Sequence, residues 1–122
     1  MEDREETRLS LGRRGEDAAV RYLEKRRYAI IERGFRMLRG EIDIVARDGP
    51  TIVFVEVKTR RGGDFGPPSA SVTAAKRRQI RRIAQAYLHR RGFGGAFCRF
   101  DVISIRAEKG GTLRIEHLKD AF

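Results

Sequence analysis

The sequence predicts an α/β fold in which a mixed β-sheet is flanked by α-helices, with the elements in the order helix, three strands, helix and two strands. Three observations carry this prediction. Two stretches have apolar residues at helical spacing, a turn signal lies between them at residues 48–50, and strand-like runs stand before and after the second helical stretch. The 122 residues suffice for a single core, so we expect one domain over residues 10–122.

The chain begins with a charged stretch and a helix. Residues 1–9 lack apolar periodicity, and we expect them to be disordered. Ser10 is a suitable N-cap for the helix that follows. The apolar face of this helix comprises Ala19, Tyr22 and Leu23. A strand is predicted next, over residues 28–35.

Residues 39–60 predict a β-hairpin. The first strand, residues 41–46, alternates acidic residues with Ile42 and Ile44, which predicts that the acids share one face and the isoleucines the other. The second strand, residues 51–58, is β-branched and aromatic. The residues predicted to share one face of this strand are Ile52, Phe54, Glu56 and Lys58.

The length of the turn decides which hairpin residues oppose each other. Residues 48–50 read Asp-Gly-Pro, a turn signal because glycine tolerates positive φ and proline cannot donate to a ladder. A two-residue loop would set Glu41 opposite Glu56, and a four-residue loop would set Asp43 opposite Glu56. Either length puts Asp43 on the face of Glu56 and Lys58, whereas a three-residue loop would not.

The second half of the chain predicts a loop, a helix and two strands. Residues 59–71 are rich in glycine, proline and small polar residues and predict a mobile loop. Thr73 caps a helix that extends to about residue 91. The apolar face of this helix comprises Ile80, Ile83, Ala84, Tyr87 and Leu88. Strands are predicted over residues 97–105 and 113–118.

Charge is the most informative feature of the composition. The chain has 27 Lys and Arg residues against 17 Asp and Glu residues, a net charge of +10 and a pI near 10.8. This balance favours a polyanionic partner, because Lys and Arg release counterions when they bind phosphates. The alternative is a basic surface that is only solvated.

Cysteine and hydropathy bear on the compartment. Cys98 is the single cysteine, and its position in a strand-like run predicts a buried thiol in a reducing environment. No apolar run approaches the roughly 20 residues of a membrane span, and the charged N-terminus does not resemble a secretory signal. We therefore expect no membrane association and a cytoplasmic location. His89 and His117 lie far apart without cysteine partners, which gives a zinc site little support.

The hairpin brings acids together with a lysine. Opposed carboxylates repel unless a cation lies between them, so Asp43 and Glu56 are candidate ligands of Mg²⁺ or Mn²⁺. Mg²⁺ with few protein ligands keeps positions for water and a phosphate, which suits phosphodiester hydrolysis. Lys58 would orient the water or stabilise developing charge. The alternative for the two acids is a purely structural salt-bridge role. Glu41 would help the site indirectly, and its alternative is an ion pair with a neighbouring arginine or with Lys58.

These residues resemble the motif of a nuclease group. Asp43, followed after a hairpin by Glu56-Val57-Lys58, is similar to the active-site signature of the restriction-endonuclease-like superfamily, PD-(D/E)xK. A longer match resembles the YraN family of uncharacterised bacterial proteins, which are similar to archaeal Holliday junction resolvases. This match covers the chain from about Gly12 to Phe122 and comprises Gly15-Glu16, RGEIDIVARDG, VFVEVKTR, Phe65-Gly66, Val72, Lys76 and Arg99-Phe100-Asp101-Val102.

The resemblance implies a fold, an activity and further site residues. It implies the restriction-endonuclease-like mixed sheet and a magnesium-dependent endonuclease acting on DNA, with branched structures as candidate substrates. By analogy the carbonyl of Val57 joins the two acids as a metal ligand, and Glu16 is a candidate third acid. The alternative for Glu16 is a solvent-facing glutamate at a helix start. Junction resolvases work as symmetric pairs, which suggests a homodimer. The chain departs from the superfamily motif at Ile42, where the motif has Pro, and from many family members at Gly34, where Asn is common.

Basic residues after the hairpin and on the second helix are candidate nucleic-acid contacts. The helix has no acid between Lys76 and Arg91, so its basic residues lack neutralising partners within the helix. The candidate phosphate-binding residues are Arg60, Arg61, Lys76, Arg77, Arg78 and Arg81. Three interpretations stay open: a DNA endonuclease, a nucleic-acid-binding module without turnover on the same scaffold, and an RNA-directed role.

Overall fold

The computed structural model describes residues 6–62 and 72–122 and has the predicted order of elements. The elements are helix α1 (Arg8–Lys25), strands β1 (Ala29–Met37), β2 (Gly40–Asp48) and β3 (Thr51–Arg61), helix α2 (Ala74–Arg90), and strands β4 (Phe97–Ala107) and β5 (Leu113–Leu118). The strands form one sheet in the order β1-β2-β3-β4-β5, with β3 and β4 parallel and the other neighbours antiparallel. Parallel neighbours need a crossover connection, and α2 lies in it. The predicted mixed α/β class is therefore confirmed.

The sheet has a helix on each face, and β3 contributes to both cores. The core against α2 includes Phe54, Ile80, Ile83, Tyr87 and Val102. The core against α1 includes Ala19, Leu23, Val53, Val55 and Ile103. Residues 52–56 are all buried as a result. This double burial explains why the strand has a continuous run of β-branched and aromatic residues.

Threonine side chains begin both helices. Thr73 caps α2 as predicted, and its hydroxyl oxygen accepts a hydrogen bond from the Lys76 N–H at 3.2 Å. The prediction that Ser10 caps α1 is wrong, because Thr7 is the cap and accepts from the Ser10 N–H at 3.0 Å. Residues 1–5 lie outside the described ranges. Within those ranges, no helix is long and apolar enough to cross a membrane.

The end of β3 and the exposure of one thiol differ from the predictions. β3 continues to Arg61, because the residues from Thr59 onward pair with β4, and the predicted loop therefore does not begin at Thr59. Residues 63–71 of that loop lie outside the described ranges. The thiol of Cys98 is exposed rather than buried, since Phe97 and Cys98 form the exposed start of β4.

The β2–β3 hairpin has the register predicted for the four-residue loop. Its ladder closes at Asp48 and Thr51, around Gly49 with a φ of +60°. Asp43 and Glu56 are the next residues of β2 and β3 beyond the last ladder pair, which joins Ile44 and Val55. The three-residue alternative is excluded.

The alternation of side chains breaks at Asp43. Ile44 packs in the core against α1, whereas Ile42 packs in the core against α2. The prediction that these isoleucines share a face is therefore wrong. The neighbouring strand gives the physical reason: Gly34 lies between the residues paired with Ile42 and Ile44, and its φ is +65°. A left-handed residue inside a strand turns the backbone, so both strands change sides at this level.

Candidate functional site

Asp43 lies where β2 and β3 separate. The main-chain ladder ends at Ile44 and Val55, and beyond it the Asp43 Oδ2 atom accepts a hydrogen bond from the Val57 N–H at 2.8 Å. A carboxylate that takes the place of a ladder partner satisfies the neighbouring strand's N–H and is fixed to that strand. Asp43 is thereby held beside the segment that contains Glu56 and Lys58.

A cleft of about 510 Å³ opens beside Asp43. It is lined by the N-terminal half of α1 and by residues of β1, β2 and β3, and it carries charges of both signs. The acidic lining residues are Glu16, Glu41 and Asp43, and the basic ones are Arg8, Arg13, Arg36 and Lys58. Glu16, the candidate third acid, therefore shares a cleft with Asp43. It also forms an ion pair with Arg33, whose Nη2 atom is 2.9 Å from Glu16 Oε1.

The Asp43 carboxyl lies where a negative charge is unfavourable. Burial and the nearby charge of Glu56 are the leading causes that raise the pKa of Asp43 to about 7. Glu16 and Glu41 raise this pKa further, while the hydrogen bond from the Val57 N–H lowers it. An ionised Asp43 is thus disfavoured by burial and by the charges of nearby acids, and a divalent cation would offset both.

Glu56 is buried and lies between two lysines. Its side chain is 5% exposed, and its Oε2 atom is 3.3 Å from Lys76 Nζ and 3.8 Å from Lys58 Nζ. Lys76 comes from α2, whereas the cleft beside Asp43 is lined by α1. Each of the two acids therefore has its own set of neighbours, and the link between them is electrostatic, since the charge of Glu56 raises the pKa of Asp43.

The donor atoms present fit a sparsely liganded Mg²⁺ site. Asp43 and Glu56 offer hard carboxylate oxygens, and the main chain of Val57 lies between the strand positions of Glu56 and Lys58. Within residues 6–62 and 72–122, no group of three or more His, Cys, Asp and Glu side chains is arranged to hold a metal ion. A site built here would therefore use the two acids and leave its other positions to water and phosphate, which is typical of Mg²⁺.

The basic residues predicted on α2 are engaged to different degrees. Lys76 pairs with Glu56, and the Arg77 Nε atom donates to the Val72 carbonyl at 3.0 Å. The guanidinium of Arg81 lies 4.9 Å from the ring centroid of Phe100. Arg78 is exposed. The helix lacks acids of its own, but other elements supply partners to part of its basic surface.

The two arginines at the end of β3 also lie near the cleft. Arg60 is half-buried, and Arg61 is exposed and donates to the Glu6 carbonyl. Both follow Thr59, which lines the cleft. They extend the basic surface from the cleft along β3.

The acidic residues of the cleft lie within the region that matches a protein family. Residues 15–105 match the family model described as "Uncharacterised protein family UPF0102". The chain belongs to the UPF0102 family. Its similarity to a UPF0102 protein of Geotalea uraniireducens is 54% identity, covering 99% of this chain and 94% of that protein. A UPF0102 protein of Geobacter metallireducens is 56% identical, covering 93% and 92%, and one of Symbiobacterium thermophilum is 46% identical, covering 92% and 95%.

UPF0102 is the YraN family that the sequence resembles, so this resemblance is confirmed. The matched region includes every residue of the predicted site: Glu16, Asp43, Glu56, Val57, Lys58, Arg60, Arg61, Lys76, Arg77, Arg78 and Arg81. The match extends over the second part of α1, all of α2 and most of the sheet. The family description itself assigns no activity.

This UPF0102 protein has a buried polar network on β4 that was not predicted from its sequence. Asp101 is fully buried and accepts hydrogen bonds from Arg99 Nε at 2.9 Å, His117 Nε2 at 2.7 Å and the Asp120 N–H at 3.0 Å. Burial alone would raise the pKa of Asp101, but the bonds from His117, Arg99 and Asp120 outweigh burial and lower it. Tyr22 completes the network at His117 Nδ1, at 3.2 Å. The only signal was an aspartate inside an apolar strand run.

Proposed function

We propose that this UPF0102 protein is a metal-dependent nuclease that hydrolyses DNA phosphodiester bonds in the cleft beside Asp43. The observation that carries the proposal is the position of Asp43. Its carboxylate is fixed by the Val57 N–H, has a pKa raised to about 7, and lies in a cleft with four cationic side chains. A perturbed carboxyl in a cleft is a physical indicator of a functional site.

Each residue has a role that follows from its surroundings. Asp43, Glu56 and the Val57 carbonyl would hold Mg²⁺, which when bound polarises the scissile phosphate and acidifies a water molecule. Lys58 is 31% exposed at its side chain and lines the cleft, so its ammonium group can hold the attacking water or stabilise negative charge on the phosphate oxygens. Lys76 pairs with the buried Glu56 and would hold its carboxylate in place from the side of α2.

Arginines around the cleft would position the substrate. Arg8 and Arg13 from α1 and Arg36 from β1 line the cleft and are exposed. Guanidinium groups bind phosphate oxygens in a forked geometry, and three of them around an acidic floor would hold a backbone across it. Arg60, Arg61, Arg77, Arg78 and Arg81 would extend this contact.

A second candidate function is nucleic-acid binding without turnover. The observation that favours it is the pairing of Glu56 with two lysines, which satisfies the carboxylate without a metal. Net charge of +10 supports binding under either proposal.

Cleavage assays separate the two candidates. Linear, flapped and four-way-junction DNA, and RNA of matched sequence, are incubated with Mg²⁺, Mn²⁺ or EDTA. We expect metal-dependent cleavage of DNA that Asp43→Asn, Glu56→Gln and Lys58→Ala each reduce by about 100-fold or more. Lys109→Ala, which removes an exposed positive charge from the turn before β5, is the matched control.

Metal binding is measured separately from cleavage. Mg²⁺ should raise the thermal midpoint of the wild-type protein and raise that of Asp43→Asn less, since a ligand that binds only the folded state stabilises it. Salt-sensitive binding of all substrates, with no cleavage and no metal-dependent midpoint shift, would leave the binding module as the better description. Sedimentation with and without DNA tests the proposed homodimer.

A further inference from the structure

The turn between β1 and β2 has an unusual backbone for its sequence. Leu38 and Arg39 form the turn and both have left-handed φ values, of 54° and 62°. Glycine and asparagine adopt this conformation readily, whereas leucine does so only at a cost. A glycine stands next to the turn, at Gly40, and is not used for either left-handed position. The turn therefore has a leucine at a position whose backbone conformation favours glycine.

The turn is held firmly against α2. The Gln79 Nε2 atom donates a hydrogen bond to the Leu38 carbonyl at 3.3 Å. Gly40 permits the close approach, because a Cβ atom there would lie 2.7 Å from both Gln79 Nε2 and Ile83 Cδ1. The strained turn is thus fixed in place by neighbouring structure.

The leucine side chain is exposed, two positions after a residue that lines the cleft. Leu38 is 52% exposed, and within residues 6–62 and 72–122 only Leu9 and Phe97 are other large apolar residues that are exposed. Leu9 lines the cleft that contains Asp43. Arg36, whose side chain is 82% exposed, precedes the turn and lines the same cleft.

Charge surrounds this leucine. Arg39 is exposed and makes no hydrogen bond or ion pair with another residue of the described ranges. Arg36 makes one loose ion pair, with 3.9 Å between its Nη2 atom and Glu41 Oε1. An exposed leucine side chain next to two exposed arginines is costly to hydrate. It suits a ligand that has an apolar interior and an anionic surface. Stacked bases between phosphate strands have that character.

We propose that Leu38 is a wedge that inserts into DNA where base stacking is interrupted, while Arg36 and Arg39 contact the flanking phosphates. The inference rests on the proposed DNA substrate of the cleft and makes Leu38 a specificity-determining residue for it. A fixed, strained turn lowers the ordering cost of insertion. Unstacking two neighbouring base pairs is costly in a continuous duplex and less costly at a bulge or branch point. The wedge therefore selects DNA in which a base step is already unstacked.

The test measures binding in EDTA, so it does not depend on hydrolysis. Dissociation constants are compared for a linear duplex, the same duplex with a bulge, and a four-way junction, with 2-aminopurine placed at the opened step. Leu38→Gly is the central variant, because glycine relieves the left-handed φ and should fold at least as well. Leu38→Ala is the second variant. Phe97→Ala is the matched control, because it removes an exposed apolar side chain from the start of β4, next to the start of β3.

We expect the wild type to prefer the opened substrates, and we expect Leu38→Gly and Leu38→Ala to reduce this preference by about tenfold. Their affinity for linear duplex should stay within about twofold of wild type, since phosphate contacts supply it. The 2-aminopurine fluorescence that rises on wild-type binding should not rise with either variant. Arg39→Ala should weaken binding to all three substrates alike and reduce its dependence on salt.

Two results would overturn the inference: unchanged preference in both leucine variants, or equal loss on linear and opened DNA. The proposed hydrolysis can fail separately. The protein could cleave no substrate with Mg²⁺ or Mn²⁺ and still show a preference for opened DNA and a 2-aminopurine signal that both depend on Leu38. That result would support the wedge and reject the nuclease. Cleavage that requires Asp43 but ignores Leu38 would do the reverse.

Discussion

Replacing Asp43 by Asn should stabilise the metal-free protein at neutral and alkaline pH. Burial and the negative charge of Glu56 raise the pKa of Asp43 to about 7. The unfolded chain loses this proton near the ordinary pKa of 3.8. At pH 8 folding must therefore bury a negative charge next to other acids, and asparagine removes that cost while it keeps an oxygen to accept from the Val57 N–H.

The size and sign of the effect follow from the two pKa values. Below pH 4 the aspartate is protonated in both states, so it contributes no pH-dependent difference between variant and wild type. Between pH 4 and 7 the folded state holds more protons than the unfolded state, and wild-type stability falls with rising pH. The full shift corresponds to about 4 kcal/mol. We expect a gain of about 2–4 kcal/mol at pH 8, because the neutral amide accepts a weaker hydrogen bond than the carboxylate.

Urea unfolding in EDTA at pH 4.5, 6 and 8 measures this difference. The Asn variant should gain stability over wild type progressively across the series. Glu116→Gln controls for the loss of one negative charge, since Glu116 is exposed on β5. A gain that is independent of pH, or a variant less stable than wild type at pH 8, would show that the charge at Asp43 is not a cost of folding and would remove the electrostatic case for a cation there.

Four further substitutions test the packing of the fold by urea unfolding. Gly15→Ala should destabilise the fold by about 2 kcal/mol or more, because the new Cβ would lie 2.1 Å from Thr59 Oγ1. Gly12→Ala is the control: its Cβ would have nothing within 4 Å, so it should be neutral or stabilise by up to about 1 kcal/mol. Equal effects of the two substitutions would contradict the close contact between α1 and β3. Tyr87→Phe should stabilise by about 1 kcal/mol, because the Tyr87 hydroxyl is buried without a hydrogen-bond partner among the described residues, and a loss of stability would reveal one. Asp101→Asn should cost about 3–5 kcal/mol, because it leaves the half-buried Arg99 with only part of its contacts to the buried carboxylate. A loss below about 1 kcal/mol would mean that the network is dispensable.

The order of elements and the hairpin could be predicted because their signals are local. Asp48-Gly49-Pro50 marks a turn by backbone chemistry alone, and the run of residues 51–58 shows its own period. The cap at Thr73 is likewise a matter of a few neighbouring residues. The segment 56–58 could therefore be placed on a strand beside Asp43 before its surroundings were known.

The surroundings of the site could not be predicted, because they depend on residues distant in sequence. The pairing of Lys76 with Glu56 joins α2 to β3, and no period within either element indicates it. The break in alternation at Asp43 depends on the left-handed φ of Gly34 in another strand. A single-strand pattern assumes a regular partner, so it assigned Ile42 to the wrong side.

The double burial of β3 has a consequence for how the protein would lose its site. Both cores must open before the strand that carries Glu56 and Lys58 can detach, so amide hydrogens in residues 52–56 should exchange only through global opening. The catalytic geometry would then persist until the whole molecule melts. If the nuclease proposal holds, the cleavage activity that remains in denaturant would report the fraction of folded molecules. Variants of higher stability could then be found by measuring cleavage alone.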